Sequence, residues 1–147
     1  MKVSTNSHLC VPDWLLSFEK EVAGELFIAS NPGYVIRDYR MRYDMSQEEL
    51  GELMDLRRES ISRIENGSVT PTLNFIKTFI KAAAIIEAVR VERAQHKEID
   101  MHFLGNISKE LGFTKENLAF LLKIAVESYD KKLIKIQKSL KEKKYDR

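Results

Sequence analysis

The sequence predicts an all-α protein, and three observations carry that expectation. The 147 residues include only 3 prolines and 6 glycines, so little interrupts a long element. Apolar residues recur at three- and four-residue spacing along most of the chain, which marks one buried face of a helix. No stretch of useful length alternates apolar and polar residues as a half-buried strand does. With 44% hydrophobic residues the chain can build a core, which excludes a disordered polymer.

Each element follows from local signals. Residues 1–11 are polar and expected to fray. Pro12 and Asp13 open a first helix with Leu15, Phe18, Val22 and Leu26 at helical spacing. Ser30-Asn31-Pro32-Gly33 reads as a break. A second helix is expected over about 34–43, with Ile36, Tyr39 and Tyr43 on one face. Ser46 with Glu49 three residues on is a capping box that starts a third helix over about 47–54. A turn at Asp55, Leu56 and Arg57 leads to a fourth helix over about 58–65, stopped by Asn66-Gly67. Thr70-Pro71 then reads as N-cap and first helical position. From about 71 to 104 the helical pattern is unbroken, and Gly105-Asn106 is expected to interrupt it. A short helix over about 107–111 should end at Gly112. Thr114 caps a last long helix whose stripe is Leu118, Leu122, Ala125, Tyr129, Leu133, Ile136 and Leu140. Lys141 to Lys144 read as a solvated last turn.

Composition narrows the function. Formal net charge is only +2, so no strong basic field announces a polyanion. Basic charge is concentrated at the end: residues 131–147 hold eight Lys/Arg against two acids, whereas residues 37–67 hold six arginines against eight acids. Cys10 is the single cysteine and can form no intramolecular disulfide, which fits a cytoplasmic protein. No stretch approaches 18 apolar residues, and no basic segment followed by an apolar core opens the chain, so neither a membrane span nor a signal peptide is expected. His8 and Cys10, and likewise His96 and His102, lack zinc-ligand spacing, so no metal or cofactor is expected. Neither a nucleophile–base arrangement nor a phosphate-binding glycine loop can be argued, and residues 85–147 hold no constellation that would suit a fused enzyme.

The segment from Met45 to Gly67 carries the functional signal. Two short helices crossing steeply over a tight turn need apolar contacts, here Leu50 and Met54 against Ile61 and Ile64. They need a small residue where they touch, here Gly51, and Leu56 is expected to plug the turn. These constraints together define a helix-turn-helix. The words Ser46-Gln47-Glu48-Glu49-Leu50 and Ile61-Ser62-Arg63-Ile64-Glu65-Asn66-Gly67, followed by Pro71, resemble the lambda-repressor/Cro class of DNA-binding domains, often called the XRE family. The resemblance covers roughly residues 33–84. Upstream, Gly24-Glu25-Leu26 with Ser30-Asn31-Pro32-Gly33 looks like the lead-in of an archaeal branch of these regulators. Asp55 stands where the class commonly has a turn glycine, and Asp44-Met45 replaces its usual Gly-hydrophobic pair. Asp tolerates the left-handed conformation better than most residues, so both turns should survive. Arg57 stands at the usual N-cap Ser/Thr, which forfeits a cap worth roughly 1 kcal/mol.

The resemblance implies a lambda-repressor-like fold that binds double-stranded DNA and regulates transcription. Residues 58–65 would read the major groove through Arg58, Glu59, Ser62 and Arg63. Each arginine could grip a guanine edge; Glu59 could accept from a cytosine amine or orient Arg63. Gln47, Arg57, Asn66 and Ser68 would contact the DNA backbone. Arg40 and Glu65 match an ion pair that ties the first helix of the class to the end of its reading helix. The implied organisation is an extension over 1–32, the DNA-binding domain over 33–84 and a C-terminal helical region over 85–147. Leu118, Leu122, Tyr129, Leu133, Ile136 and Leu140 are candidates for a homodimer seam, with packing inside the monomer as the other option. No residue pattern specifies a small-molecule effector. The rival reading is a helix-turn-helix that binds protein, as in a coactivator or an antitoxin. Archaeal bridging factors that resemble this domain usually add a zinc ribbon with paired cysteines, which Cys10 alone cannot build.

Overall fold

The computed structural model describes residues 12–95 and 101–145. Among them lie helices α1 (Asp13–Ile28), α2 (Pro32–Arg42), α3 (Gln47–Met54), α4 (Arg58–Glu65), α5 (Leu73–Ala94), α6 (Met101–Leu111) and α7 (Lys115–Tyr145), and no strand. The fold is all-α and lambda-repressor-like, with helices flanking a central helix-turn-helix. The segment expected to fray, with His8 and Cys10, lies outside the described residues, as does His96.

The long α5 organises the molecule. It packs against α1 on one side and α7 on another, and it also meets α3 and α6. That explains why Ala82, Ala83, Ala84, Ile85, Ile86, Ala88 and Val89 are all buried, on nearly every face of the helix. α1 contributes Leu15, Val22 and Leu26, each at most 2% exposed. Two tyrosines fasten the C-terminal end of α2 to the helices on either side. The Tyr39 hydroxyl donates to Glu25 Oε2 of α1 at 3.1 Å, and the Tyr43 hydroxyl donates to Glu87 Oε1 of α5 at 2.9 Å. Burial, then the Glu25 carboxylate, pushes the Tyr39 pKa up to about 12. Burial and Glu87 push Tyr43 up as well, so both phenols stay protonated donors. Tyr39 also meets Phe18 and Phe79 edge-on, each at 6.4 Å between ring centroids.

Several element boundaries differ from expectation. Pro32 is the first residue of α2, and Asn31 caps it by accepting from the Gly33 N–H at 3.0 Å; the apparent break is therefore a cap followed by Pro at N1. Thr72, not Thr70, caps α5, accepting from Phe75 N at 3.0 Å. The preceding Pro71 is buried ahead of the helix. Gly105 and Asn106, expected to interrupt the chain, lie inside α6. A single interior glycine costs a helix only about 1 kcal/mol, and the Asn106 amide bonds His102 one turn back at 3.3 Å. α5 ends at Ala94, and residues 96–100 are not described.

The stripe on α7 divides in two. Leu118 and Ala125 are buried, Leu122 and Tyr129 half-buried, while Leu133, Ile136 and Leu140 are 43%, 57% and 62% exposed. Leu121 and Ile124, absent from the expected stripe, are buried where α7 packs against α5. Two bridges fasten the middle of α7: Lys131 to Asp44 at 3.1 Å and Arg93 to Asp130 at 3.2 Å. Both are solvent-exposed and individually weak.

One close contact sets the geometry of the helix-turn-helix core. A Cβ on Gly33 would collide with the Ile64 carbonyl oxygen, so α2 can reach the last turn of α4 only because residue 33 has no side chain. Gly24, inside α1, has nothing within 4 Å of the same added atom. One substitution should therefore act with opposite signs. Gly33→Ala should destabilise by about 1–3 kcal/mol through overpacking. Gly24→Ala should stabilise by roughly 0.5–1 kcal/mol, the usual gain in a helix interior. Urea denaturation of the two variants checks both signs.

Candidate nucleic-acid interface

α3 and α4 are shaped by local chemistry. Ser46 Oγ accepts from Glu49 N at 3.0 Å while Glu49 Oε1 accepts from Ser46 N at 3.0 Å, so the expected capping box is complete. Gly51 lies where the helices meet: an added Cβ would stand 2.6 Å from the Leu56 carbonyl oxygen. Asp44 and Asp55 both take left-handed backbone, with φ of 54° and 56°. Each therefore serves as the turn residue in place of glycine, at the cost an L-residue carries there. Leu56 does not plug the turn. It is 40% exposed, and the turn closes through its backbone N–H, which donates to the Gly51 carbonyl at 2.8 Å. The apolar seal comes from Leu53, 6% exposed, where the sequence pointed to the half-buried Met54.

α4 has two chemically distinct faces. Ile61, Ile64 and Glu65 are buried, at 0%, 6% and 3% exposure. Arg58, Glu59 and Arg63 are exposed, and Ser62 is half-buried beside them. Among the described residues no ion pair joins Glu59 to Arg63. Arg57 precedes the helix in extended backbone and makes no side-chain cap, which leaves the first turn of α4 without one.

The inner face of α4 is locked by charge. Arg40 Nε donates to Glu65 Oε2 at 2.6 Å and Nη2 donates to Oε1 at 3.0 Å, a bidentate fork. Arg40 Nη1 also donates to the Met45 carbonyl at 2.7 Å, and Gln47 Nε2 donates to Glu65 Oε1 at 3.1 Å. One buried carboxylate thus gathers α2, the α2–α3 turn, α3 and α4. Gln47, expected at DNA phosphate, spends an amide hydrogen on this node and keeps a second one. Asn66 Oδ1 accepts from both the backbone N–H and the hydroxyl of Ser68, at 2.9 and 2.6 Å. The loop after α4 is therefore a closed turn, and the Asn66 amide nitrogen remains a donor.

A crevice of about 380 Å³ opens over the node, lined by Tyr34, Arg37, Arg40, Gln47, Ser62, Glu65 and Asn66. It brings together Gln47 and Asn66, expected at the DNA backbone, and Ser62, expected at a base, while Arg57, Arg58, Glu59, Arg63 and Ser68 do not line it. Tyr34, 58% exposed, and the exposed Arg37 were absent from the expected site. The signal was present: Arg37 lies three residues before Arg40 on the same helix, hence on a neighbouring line of its surface. Guanidinium, amide and hydroxyl donors converging on one crevice suit the oxygens of a phosphate. Among the described residues no group of His, Cys, Asp and Glu could hold a metal ion, and no helix is long and apolar enough to cross a membrane.

Against known proteins, residues 36–83, about a third of the chain, match the family model described as helix-turn-helix. The matched span begins at Ile36 in α2 and ends within α5, so it contains the ion-pair node and all of α4. No curated protein and no solved structure matches the chain. The central segment is a helix-turn-helix of the kind that binds DNA.

Proposed function

We propose that this protein is a sequence-specific regulator of transcription that reads double-stranded DNA with α4 in the major groove. The observation that carries the reading is the division of α4. Its inner face is fixed by Ile61, Ile64 and the Arg40–Glu65 fork, while Arg58, Glu59 and Arg63 project outward unpaired with one another. Arg58 and Arg63 would take guanine edges, Ser62 and Glu59 neighbouring bases, and Arg57, Gln47, Asn66 and Ser68 the backbone. Arg37 and Tyr34 join the backbone set, because they share the crevice with Gln47 and Asn66. The reading assigns the chain no catalytic role and places it in the cytoplasm, on the archaeal branch whose lead-in Gly24-Glu25-Leu26 and Asn31-Pro32-Gly33 resemble.

One helix-turn-helix touches few base pairs, so selectivity calls for a second copy. The proposed seam is the distal half of α7, where Leu133, Ile134, Ile136 and Leu140 are exposed on a helix that its own core leaves uncovered. Two copies would then read an inverted repeat with half-sites about one helical turn apart or a multiple of that.

Two experiments test these assignments. Arg63→Ala should weaken binding to the selected site by ~1–3 kcal/mol and relax preference at one base position. Binding-site selection that returns the wild-type motif at wild-type affinity would remove Arg63 from the reading face. For the seam, Leu133→Glu with Ile136→Glu should keep the helical content of the single chain, where both side chains are exposed, and should convert a dimer to a monomer by sedimentation. A wild-type protein that sediments as a monomer, alone and on DNA, would contradict the seam.

A further inference from the structure

A second crevice lies away from α4. Arg42, in the last turn of α2, and Arg90 of α5 open onto a shallow space of about 340 Å³ that Glu87, Val91, Ala94 and Tyr129 complete. It shares no residue with the crevice beside α4. It sits where the helix-turn-helix segment meets the C-terminal helix, because Arg42 belongs to α2 and Tyr129 to α7.

Its charge is unbalanced. Both guanidiniums rest on aromatic faces, Arg42 at 4.4 Å from the Tyr39 centroid and Arg90 at 5.5 Å from that of Tyr43. Such stacking fixes a cation without neutralising it. The one lining carboxylate, Glu87, already accepts from the Tyr43 hydroxyl at 2.9 Å and stands 3.7 Å from Arg90. Two further carboxylates are engaged by other cations, Asp130 by Arg93 and Asp44 by Lys131. Lys132, three residues past Tyr129 on α7, has no ion pair among the described residues. Partial desolvation, then Arg90 and Arg42, holds its ammonium below its ordinary value, with Glu87 acting the other way. The lining sets Arg42 and Arg90 against Glu87, and Lys132, one turn beyond Tyr129 on the rim, brings the surplus to two positive charges. Val91, Ala94 and the Tyr129 ring add an apolar wall.

We infer that this crevice binds a small phosphate monoester, with its head among Arg42, Arg90 and Lys132 and its apolar body on Val91, Ala94 and Tyr129. A phosphate monoester carries about −1.5 to −2 at neutral pH, which matches the surplus, whereas a carboxylate supplies half of it. Guanidinium geometry also suits phosphate oxygens. An occupant touches α2, α5 and α7 together, so it ties the C-terminal helix to the helix-turn-helix segment and can serve as the effector of a regulator.

The test is calorimetric titration of the full chain without DNA, so its outcome is separate from that of the DNA-binding reading. Phenyl phosphate should bind saturably at one site per chain. Inorganic phosphate, which has the head but no body, should bind at least about tenfold more weakly, or ~1.4 kcal/mol. Lys132→Gln, at an exposed position that cannot unfold the core, and Arg42→Gln should each weaken phenyl phosphate by a similar factor. Three results would overturn the inference: no saturable binding of phenyl phosphate, equal binding of inorganic phosphate, or wild-type affinity in the Lys132→Gln protein.

Discussion

The buried carboxylate of Glu65 is the constraint on which the helix-turn-helix depends. At 3% exposure its desolvation has to be offset by partners inside the protein. Arg40 meets both its oxygens, Gln47 adds a third bond, and Arg40 in turn holds the Met45 carbonyl. A greasy contact in the same place would stabilise the core about as well, since a buried ion pair is a weak source of net stability. What the fork adds is direction. A bidentate guanidinium fixes the angle between α2 and α4 in a way that sliding apolar side chains do not. The outward side chains of α4 inherit that angle, and under the proposed function a helix displaced by about one ångström would misalign paired hydrogen bonds to a base.

The node works together with two backbone approaches. Gly33 lets α2 reach the Ile64 carbonyl, and Gly51 lets α3 reach the Leu56 carbonyl. The two positive-φ aspartates, Asp44 and Asp55, close the turns on either side of α3. Asp44 also receives Lys131 from α7, which connects the turn before α3 to the C-terminal helix. α5 runs from the helix-turn-helix into the C-terminal region without interruption. Whatever moves α7 on α5 therefore acts on a helix that is also part of the DNA-binding core.

Much of this was legible in the sequence, for identifiable reasons. The capping box, the two aspartate turns and the Arg40–Glu65 pairing depend on residue type at fixed short spacing, or on the paired words of the resemblance. Those features were read correctly. The helix boundaries that went astray share a cause. Pro32 and Thr70-Pro71 are equally good as breaks, caps or first helical residues, and only packing decides among them. Gly105-Asn106 reads as a stop by composition, yet neighbouring residues continue the helix and override a penalty of about 1 kcal/mol. Leu53 for Met54, and Leu121 with Ile124 on α7, reflect a different limit. Spacing identifies an apolar face, but the helices packed against it determine which side of a wide face is sealed. Arg37 and Tyr34 were missed because they matched no motif word; their role depends on the crevice that α2, α3 and α4 form together.

The central claim is that Arg40 and Glu65 form one coupled buried charge node, so that losing either partner strands the other. A double-mutant cycle on Arg40→Met and Glu65→Leu, followed by urea denaturation, measures this directly. Arg40→Met alone strands the Glu65 carboxylate and should cost about 3–5 kcal/mol, while the double variant, with no buried charge left unpaired, should recover most of that loss. Losses that simply add, with the double variant no more stable than the sum of the singles allows, would contradict the account.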